Sequence, residues 1–187
     1  MIVETIMGAN DFAKFVADQQ TSTADAEVWG GMREEFLKNL KALHNEIVDF
    51  LQEYEKTRQI THSFTDVMLN EENIGSYFAP RMDIKIGRQY VYLEPIGTLL
   101  IGIRGRVDVV GSAGRAQILL VHEKAKSAAE LYPVWVTIGG KPSPAPPSAQ
   151  EQSSSWIWKI VTRGLPKKFV DIDKESLFEL LMEIANA

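Results

Sequence analysis

The sequence predicts an α+β protein: an antiparallel β-meander of five to six strands, with a long N-terminal helix and a C-terminal helix packed on it. Three observations predict this class. Apolar residues recur every three or four positions over residues 28–55, they alternate with polar residues from Met82 onward, and a helical stripe returns over residues 174–186. Because short turn sequences separate the alternating segments, we expect neighbouring strands to run antiparallel.

The first helix has the strongest periodicity. Its apolar stripe is broader than a coiled-coil seam requires, so the helix should lie on a sheet. No proline precedes Pro80, and we expect a helix of about 25 to 30 residues. The stripe consists of Phe36, Leu40, Leu43, Ile47, Phe50 and Tyr54.

Two shorter helices are predicted beside the long one, so that residues 1–80 form the helical part of the fold. Asn10 can cap a short amphipathic helix near the N-terminus. Ser63, with Asp66 three positions later, resembles the start of another helix.

The sheet is predicted over residues 81–170. Gly87 should lie in one hairpin turn and Gly111 with Gly114 in another, whereas Gly102 and Gly105 should relieve a bend or bulge in a long strand. The predicted strands are 82–86, 89–94, 99–110, 115–121, 134–138 and 155–162, with a short edge piece at Phe169 and Val170.

A loop and a helix complete the predicted fold. Residues 139–154 are rich in proline and serine, so they should form an exposed, mobile loop. Asp171 or Asp173 can cap the C-terminal helix 174–186, which carries a stripe of leucines. We expect a single domain over residues 1–187 because neither side of the loop can form a core alone.

The periodicities also predict a core. The residues that should be largely buried are Phe36, Leu40, Leu43, Ile47, Leu99, Ile101, Ile103, Val107, Val109, Ile118, Leu120, Trp158, Leu177 and Leu181.

Composition excludes several kinds of chemistry. The chain has no cysteine, which rules out disulfides, thiolate metal sites and cysteine nucleophiles. No stretch reaches the roughly 18 apolar residues of a membrane span, and the first residues do not resemble a secretory signal. We therefore expect a soluble, cytoplasmic protein.

The net charge of −5 hides an uneven distribution. Residues 1–80 carry 6 basic and 14 acidic residues, residues 81–168 carry 13 and 6, and residues 169–187 carry 1 and 5. Two interpretations stay open: acidic helices neutralise a basic sheet within the fold, or one face of the sheet binds anions.

Catalytic and metal-binding patterns are absent. The histidines at positions 44, 62 and 122 share no metal-ligand spacing, and His44 lies in the apolar stripe, which is typical of a core histidine. His62 and Asp66 could pair on a helix face, although such pairs commonly serve helix ends. No nucleophile elbow, SxxK pair or phosphate-binding glycine loop occurs. We expect no catalytic residue, metal or cofactor.

One polar face of the predicted sheet combines arginines with tyrosines, which suits phosphate, carboxylate or single-stranded nucleic acid. A solvated or helix-covered face is the alternative interpretation. The candidate ligand-binding residues are Arg88, Tyr90, Tyr92, Arg104, Arg106 and Arg115.

Three functional hypotheses follow. The first is a non-catalytic accessory protein that binds a protein partner, or itself, through its acidic helices. The second is a binder of an anionic ligand or nucleic acid on the arginine and tyrosine face, with nucleic acid the less favoured. The third is an enzyme whose site assembles from dispersed residues.

Lys141, Pro144 and Pro147 also match a PxxP motif, which proline-rich loops match by accident.

Overall fold

The chain forms two helices and seven strands within the residues that the computed structural model describes, namely 23–72, 74–98, 103–127 and 155–186, with side chains described from Trp29 onward. The elements are α1 (Thr23–Lys56), β1 (Ile60–Glu71), β2 (Gly75–Ile86), β3 (Gln89–Gly97), β4 (Gly105–Gly111), β5 (Gly114–His122), β6 (Trp156–Val161), β7 (Phe169–Asp171) and α2 (Lys174–Ala185).

The strands form one antiparallel sheet in which their spatial order is their order along the chain. The predicted α+β meander is therefore confirmed, with seven strands instead of five to six. The hairpins that turn at Gly87 and at residues 111–114 are confirmed as well, and β7 is the predicted edge piece.

The prediction that residues 1–80 are helical is wrong beyond residue 56. The sheet begins at Ile60, and the segment that contains Ser63 and Asp66 is strand β1, not a short helix. The Ser-x-x-Asp pattern resembles a capping box, but the segment is rich in β-branched threonine, isoleucine and valine, which favour strands. Pairing with β2 along the whole of β1 decides its conformation.

The alternation of burial changes phase within β1. The even positions Ile60 and His62 are buried or half-buried in the first half, whereas the odd positions Val67, Leu69 and Glu71 are so in the second half. The register with β2 is continuous, so the two sets lie on opposite sides of one regular ribbon. The pattern over twelve residues is consequently not a simple alternation.

A missing third strand explains this change of phase. β2 pairs with β3 only over Met82–Ile86, so residues 65–81, which we call the hairpin arm, form a two-stranded ribbon. Two-stranded ribbons twist more strongly than wider sheets. The arm therefore turns its other side, with Leu69, Tyr77 and Ala79, toward the main core.

The core lies between the two helices and one side of the sheet, which we call the helix side. All predicted core residues that the structure describes are buried, and Leu99 and Ile101 lie outside the described residues. Ile103 belongs to a second cluster with Leu119, Val121, Val161 and Phe169. Strand alternation places this second cluster on the opposite, outer side of the sheet.

Helix α1 packs closely on the sheet at Gly105. A Cβ atom at this position would lie 2.8 Å from the ring of Phe36 and 3.0 Å from that of Trp158. The indole nitrogen of Trp158 donates to the backbone oxygen of Asn39 at 2.9 Å, which fixes the helix at this point. The predicted structural role of Gly105 thus arises from packing as well as from the bend in the chain before β4.

Helix α2 begins at Lys174, as predicted, and Asp173, one of the two expected capping residues, is its N-cap. The Asp173 carboxylate accepts from the backbone N–H of Ser176 at 2.8 Å, and the Ser176 hydroxyl accepts from the backbone N–H of Asp173 at 2.9 Å. These reciprocal hydrogen bonds form a capping box, and they lower the pKa of Asp173.

Other predictions fall outside the described residues. These are the short helix at Asn10, the strand at 134–138, the loop at 139–154 with its PxxP motif, and Gly102. The single domain over residues 1–187 stays a prediction.

Candidate functional site

The two candidate tyrosines lie together on the outer side of β3. The rings of Tyr90 and Tyr92 are stacked with centroids 6.4 Å apart and an angle of 10° between their planes. Lys85 Nζ lies 5.6 Å from the Tyr90 centroid, and the Arg81 guanidinium lies 4.9 Å from that of Tyr92. One face of each ring is thus occupied by a cation of this chain. Arg88 lies apart from them in the exposed turn before β3.

Arg81 is tied to a carboxylate beside it. Its Nε and Nη2 atoms donate to the two oxygens of Asp83 at 2.6 and 3.1 Å, which is a bidentate pair. Partial burial opposes ionisation of Asp83, but hydrogen bonds from Arg81 and Thr65 outweigh it, so the pKa of Asp83 is lowered. This pair therefore stays ionised at neutral pH.

Asp108 binds two of the candidate arginines. Arg106 donates to both of its oxygens, from Nε at 2.7 Å and from Nη2 at 2.9 Å. Arg115 adds a third hydrogen bond from Nη1 at 2.9 Å. The Asp108 side chain is 0% exposed, although it lies on the outer side of the sheet, because the two guanidinium groups cover it.

Arg104 lies in a different environment, against α1. Its Nη1 atom donates to both oxygens of Glu35 at 2.9 and 3.0 Å, and its guanidinium stacks over the ring of Trp156 at 4.4 Å. Alternation predicts that Arg104 shares a face with Arg106. The bend before Gly105 breaks that alternation and separates the two side chains.

The structure thus divides the six candidate residues among four places: the turn, the tyrosine stack, the Asp108 cluster and the contact with α1. Ion pairs link the basic middle of the chain to the acidic helices, as Arg104 does with Glu35 and Arg163 does with Glu183. This geometry favours the interpretation that opposite charges neutralise one another within the fold.

The rings of His44 and His62 both lie close to that of Phe64. His44 is buried in the stripe of α1, its Nε2 atom has no hydrogen-bond partner among the described residues, and its ring lies 5.3 Å from that of Phe64. Burial, together with the nearby His62, lowers the pKa of His44 to about 4. His62 pairs with Glu55 of α1, not with Asp66, because four residues along a strand are about 13 Å apart.

A buried carboxylate fastens the hairpin arm to the end of β3. Glu71 accepts hydrogen bonds from the Thr98 backbone N–H at 2.8 Å, from the Thr98 hydroxyl at 3.0 Å and from the Tyr77 hydroxyl at 2.5 Å. Burial, followed by this hydrogen bond and the charge of Glu71, raises the pKa of Tyr77. The sequence pattern does not predict this cluster, because residue 71 falls in the part of the chain that was expected to be helical.

The outward side of the hairpin arm exposes a pair of large apolar side chains. Met68 and Phe78 are direct cross-strand partners, and they are 64% and 61% exposed. Their neighbours along the same side are the pairs Asp66 with Pro80 and Asn70 with Ser76, so this side carries one charged residue. Alternation within 65–71 could have revealed the pair if that segment had been assigned to a strand.

The described residues contain neither a group of metal-ligating side chains nor a helix that could span a membrane. Within them, no group of three or more histidine, aspartate or glutamate side chains is arranged to hold a metal ion. No helix among them combines the length and apolar character needed to cross a membrane.

Comparisons with known proteins identify no relative. No family model matches the chain, and neither the curated proteins nor the solved structures contain a significant match. The function of this chain is therefore inferred from the contacts and exposure of its own residues.

Proposed function

We propose that the protein is a non-catalytic, cytoplasmic interaction protein, and that its contact surface is the outward side of the hairpin arm. The observation that carries this proposal is the exposed pair of Met68 and Phe78. Methionine and aromatic side chains are enriched at protein interfaces, where a few of them supply most of the binding energy.

The backbone of the arm supports the same function. Strand β1 is twelve residues long and forms one edge of the sheet. Natural edge strands are commonly protected by short length, proline or lysine, and β1 has neither residue. The opposite edge, β7, is three residues long and follows Pro166, Lys167 and Lys168.

The acidic helices support binding less well than the arm does. Glu35, Glu53 and Glu55 of α1 pair with Arg104, Lys174 and His62, respectively. Since half of the described carboxylates of α1 already serve contacts within the fold, whereas Met68 and Phe78 are exposed, we infer that the contact surface is on the arm and not on α1.

Site-specific photo-cross-linking tests this proposal. A photoreactive phenylalanine analogue replaces Phe78, and the same analogue at Tyr90, which is 48% exposed on the sheet, serves as the control. We expect discrete cross-linked products in cells from position 78, and at least fivefold less product when Met68→Ser is added. Mass spectrometry then tells whether the partner is another protein or a second copy.

Two results would contradict the proposal. One is an equal yield of cross-linked product from positions 78 and 90, because partners would then contact the arm no more often than the rest of the sheet. The other is a yield at position 78 that Met68→Ser leaves unchanged. Circular dichroism of Met68→Ser checks folding, and we expect no change because surface substitutions usually alter stability by about 0.5 kcal/mol or less.

A further inference from the structure

Four arginines of the sheet region fall into two groups according to how many of their guanidinium nitrogens donate hydrogen bonds. Arg81 and Arg106 each use Nε and Nη2 for one aspartate, so their preferred binding edge is occupied. Arg115 and Arg163 each donate a single hydrogen bond to the described residues, from Nη1. Their Nε and Nη2 atoms form no hydrogen bond within that part of the chain.

Arg115 and Arg163 also line one cavity. It has a volume of about 310 Å³ and lies where β5 begins and β6 ends. Its other lining residues include the carboxamide of Gln117, the hydroxyl of Thr162 and the ammonium of Lys167. Lys167 forms no ion pair with a residue that the structure describes.

Gly114 makes room for one of these guanidinium groups. A Cβ atom at Gly114 would lie 2.5 Å from Nη2 of Arg163, and the backbone φ of +133° also favours glycine. Arg163 is therefore held beside the β4–β5 turn, next to the strand that carries Arg115. The absence of a side chain at Gly114 leaves this space to the Arg163 guanidinium.

The local charge is positive. Asp108 is shared by Arg106 and Arg115, Glu183 pairs with Arg163, and Lys167 adds a positive charge that no described carboxylate pairs with. Two further carboxylates lie around this region: Glu94, whose Cα pairs with that of Asp108 on the next strand, and Glu179, which lines the neighbouring groove on the α2 side of Arg163. Among the described residues, no carboxylate lines the cavity itself.

We propose that this cavity binds the oxyanion of a small phosphorylated molecule, with Arg115, Arg163 and Lys167 as the cationic ligands. Guanidinium groups bind phosphate oxygens through paired N–H donors, and the free edges of Arg115 and Arg163 provide such donors. Gln117 and Thr162 can donate to the remaining oxygens. This site keeps Arg115 from the predicted candidates, adds two residues that the sequence analysis missed, and does not depend on the function proposed for the arm.

Titration with inorganic pyrophosphate at physiological salt tests the site, with isothermal calorimetry as the readout. We expect saturable binding with one site per chain. Arg115→Gln and Lys167→Gln should each weaken it by about tenfold, since hydrogen bonds to charged groups contribute about that much. Lys168→Gln is the matched control, because Lys168 is an adjacent exposed lysine outside the cavity lining, and it should change affinity less than twofold.

Folding is checked independently in each variant. Asp108 keeps its bidentate pair with Arg106 when Arg115 is replaced, so Arg115→Gln should unfold near the urea midpoint of the wild type. Arg163→Lys provides a further variant that keeps the charge and loses the fork, and it should weaken binding by about threefold to tenfold. The proposal is overturned if pyrophosphate does not saturate, or if Lys168→Gln weakens binding as much as Lys167→Gln.

Discussion

The hairpin arm and the central strands are built from the same antiparallel pairing, yet their outward surfaces differ. The central strands β3 to β5 have a neighbour on both sides, and their outward side chains are joined by the ion pairs of Asp108 and by stacked rings. The arm is a ribbon of two strands, and its outward side exposes Met68 and Phe78. In the wide part of the sheet, outward side chains pair with neighbours on the same or the adjacent strand, whereas the two-stranded arm leaves apolar side chains uncovered.

The largest expected effect concerns the buried carboxylate of the central strands. Replacing Asp108 by Asn leaves Arg106 and Arg115 beside each other without an anion, and we expect the free energy of unfolding to fall by about 3 kcal/mol, as for other broken buried pairs. Urea denaturation measures this. Asp83→Asn is the control: its pair is more exposed, so the loss should be about 1 kcal/mol or less. Equal losses from the two variants would contradict the comparison.

The second effect is a pH dependence at the base of the arm, where His44 packs on Phe64. The folded pKa of His44, about 4, lies below its ordinary value of 6.5, so the unfolded chain takes up a proton more readily. This stabilising contribution is present above pH 6.5 and is lost as the pH falls toward 4.

Between pH 7 and pH 5 the wild type should lose about 2 kcal/mol of unfolding free energy from this group alone. His44→Leu removes the titrating group. Between pH 7 and pH 5 the variant should therefore lose about 2 kcal/mol less unfolding free energy than the wild type. Urea denaturation of both proteins at the two pH values measures the difference. Parallel losses in the two proteins would show that His44 is not responsible.

The smallest effect tests how the arm is attached. Glu71→Gln weakens the acceptor of Tyr77 and Thr98 in a buried site, and we expect a loss of about 1 to 2 kcal/mol. Hydrogen exchange should become faster for amides of the arm and stay unchanged in β4 and β5, because the hydrogen bonds of Glu71 fasten only the arm. Uniform acceleration across the sheet would mean that arm and central strands open together.

Much of the fold could be predicted because its signals are local. The stripe from Phe36 to Tyr54 predicts α1, and regular alternation from Met82 predicts β2 to β5. The predictions fail where alternation changes phase, as in β1, or ends at a bend, as at Arg104. The division of the six candidate residues among four places could not be predicted for a related reason: which arginine shares Asp108 and which reaches Glu35 depends on contacts between elements distant in sequence.

Residues a few positions apart set the periodicities, the helix cap at Asp173 and the hairpin turns, and composition excludes cysteine chemistry. Contacts between distant elements bring β1 into the sheet, twist its arm so that Met68 and Phe78 are exposed, and bring Arg163 over Gly114 beside the strand of Arg115. Local patterns do not report these features because twist, burial and charge pairing depend on which strands and helices become neighbours. That arrangement arises only when the whole sheet has formed.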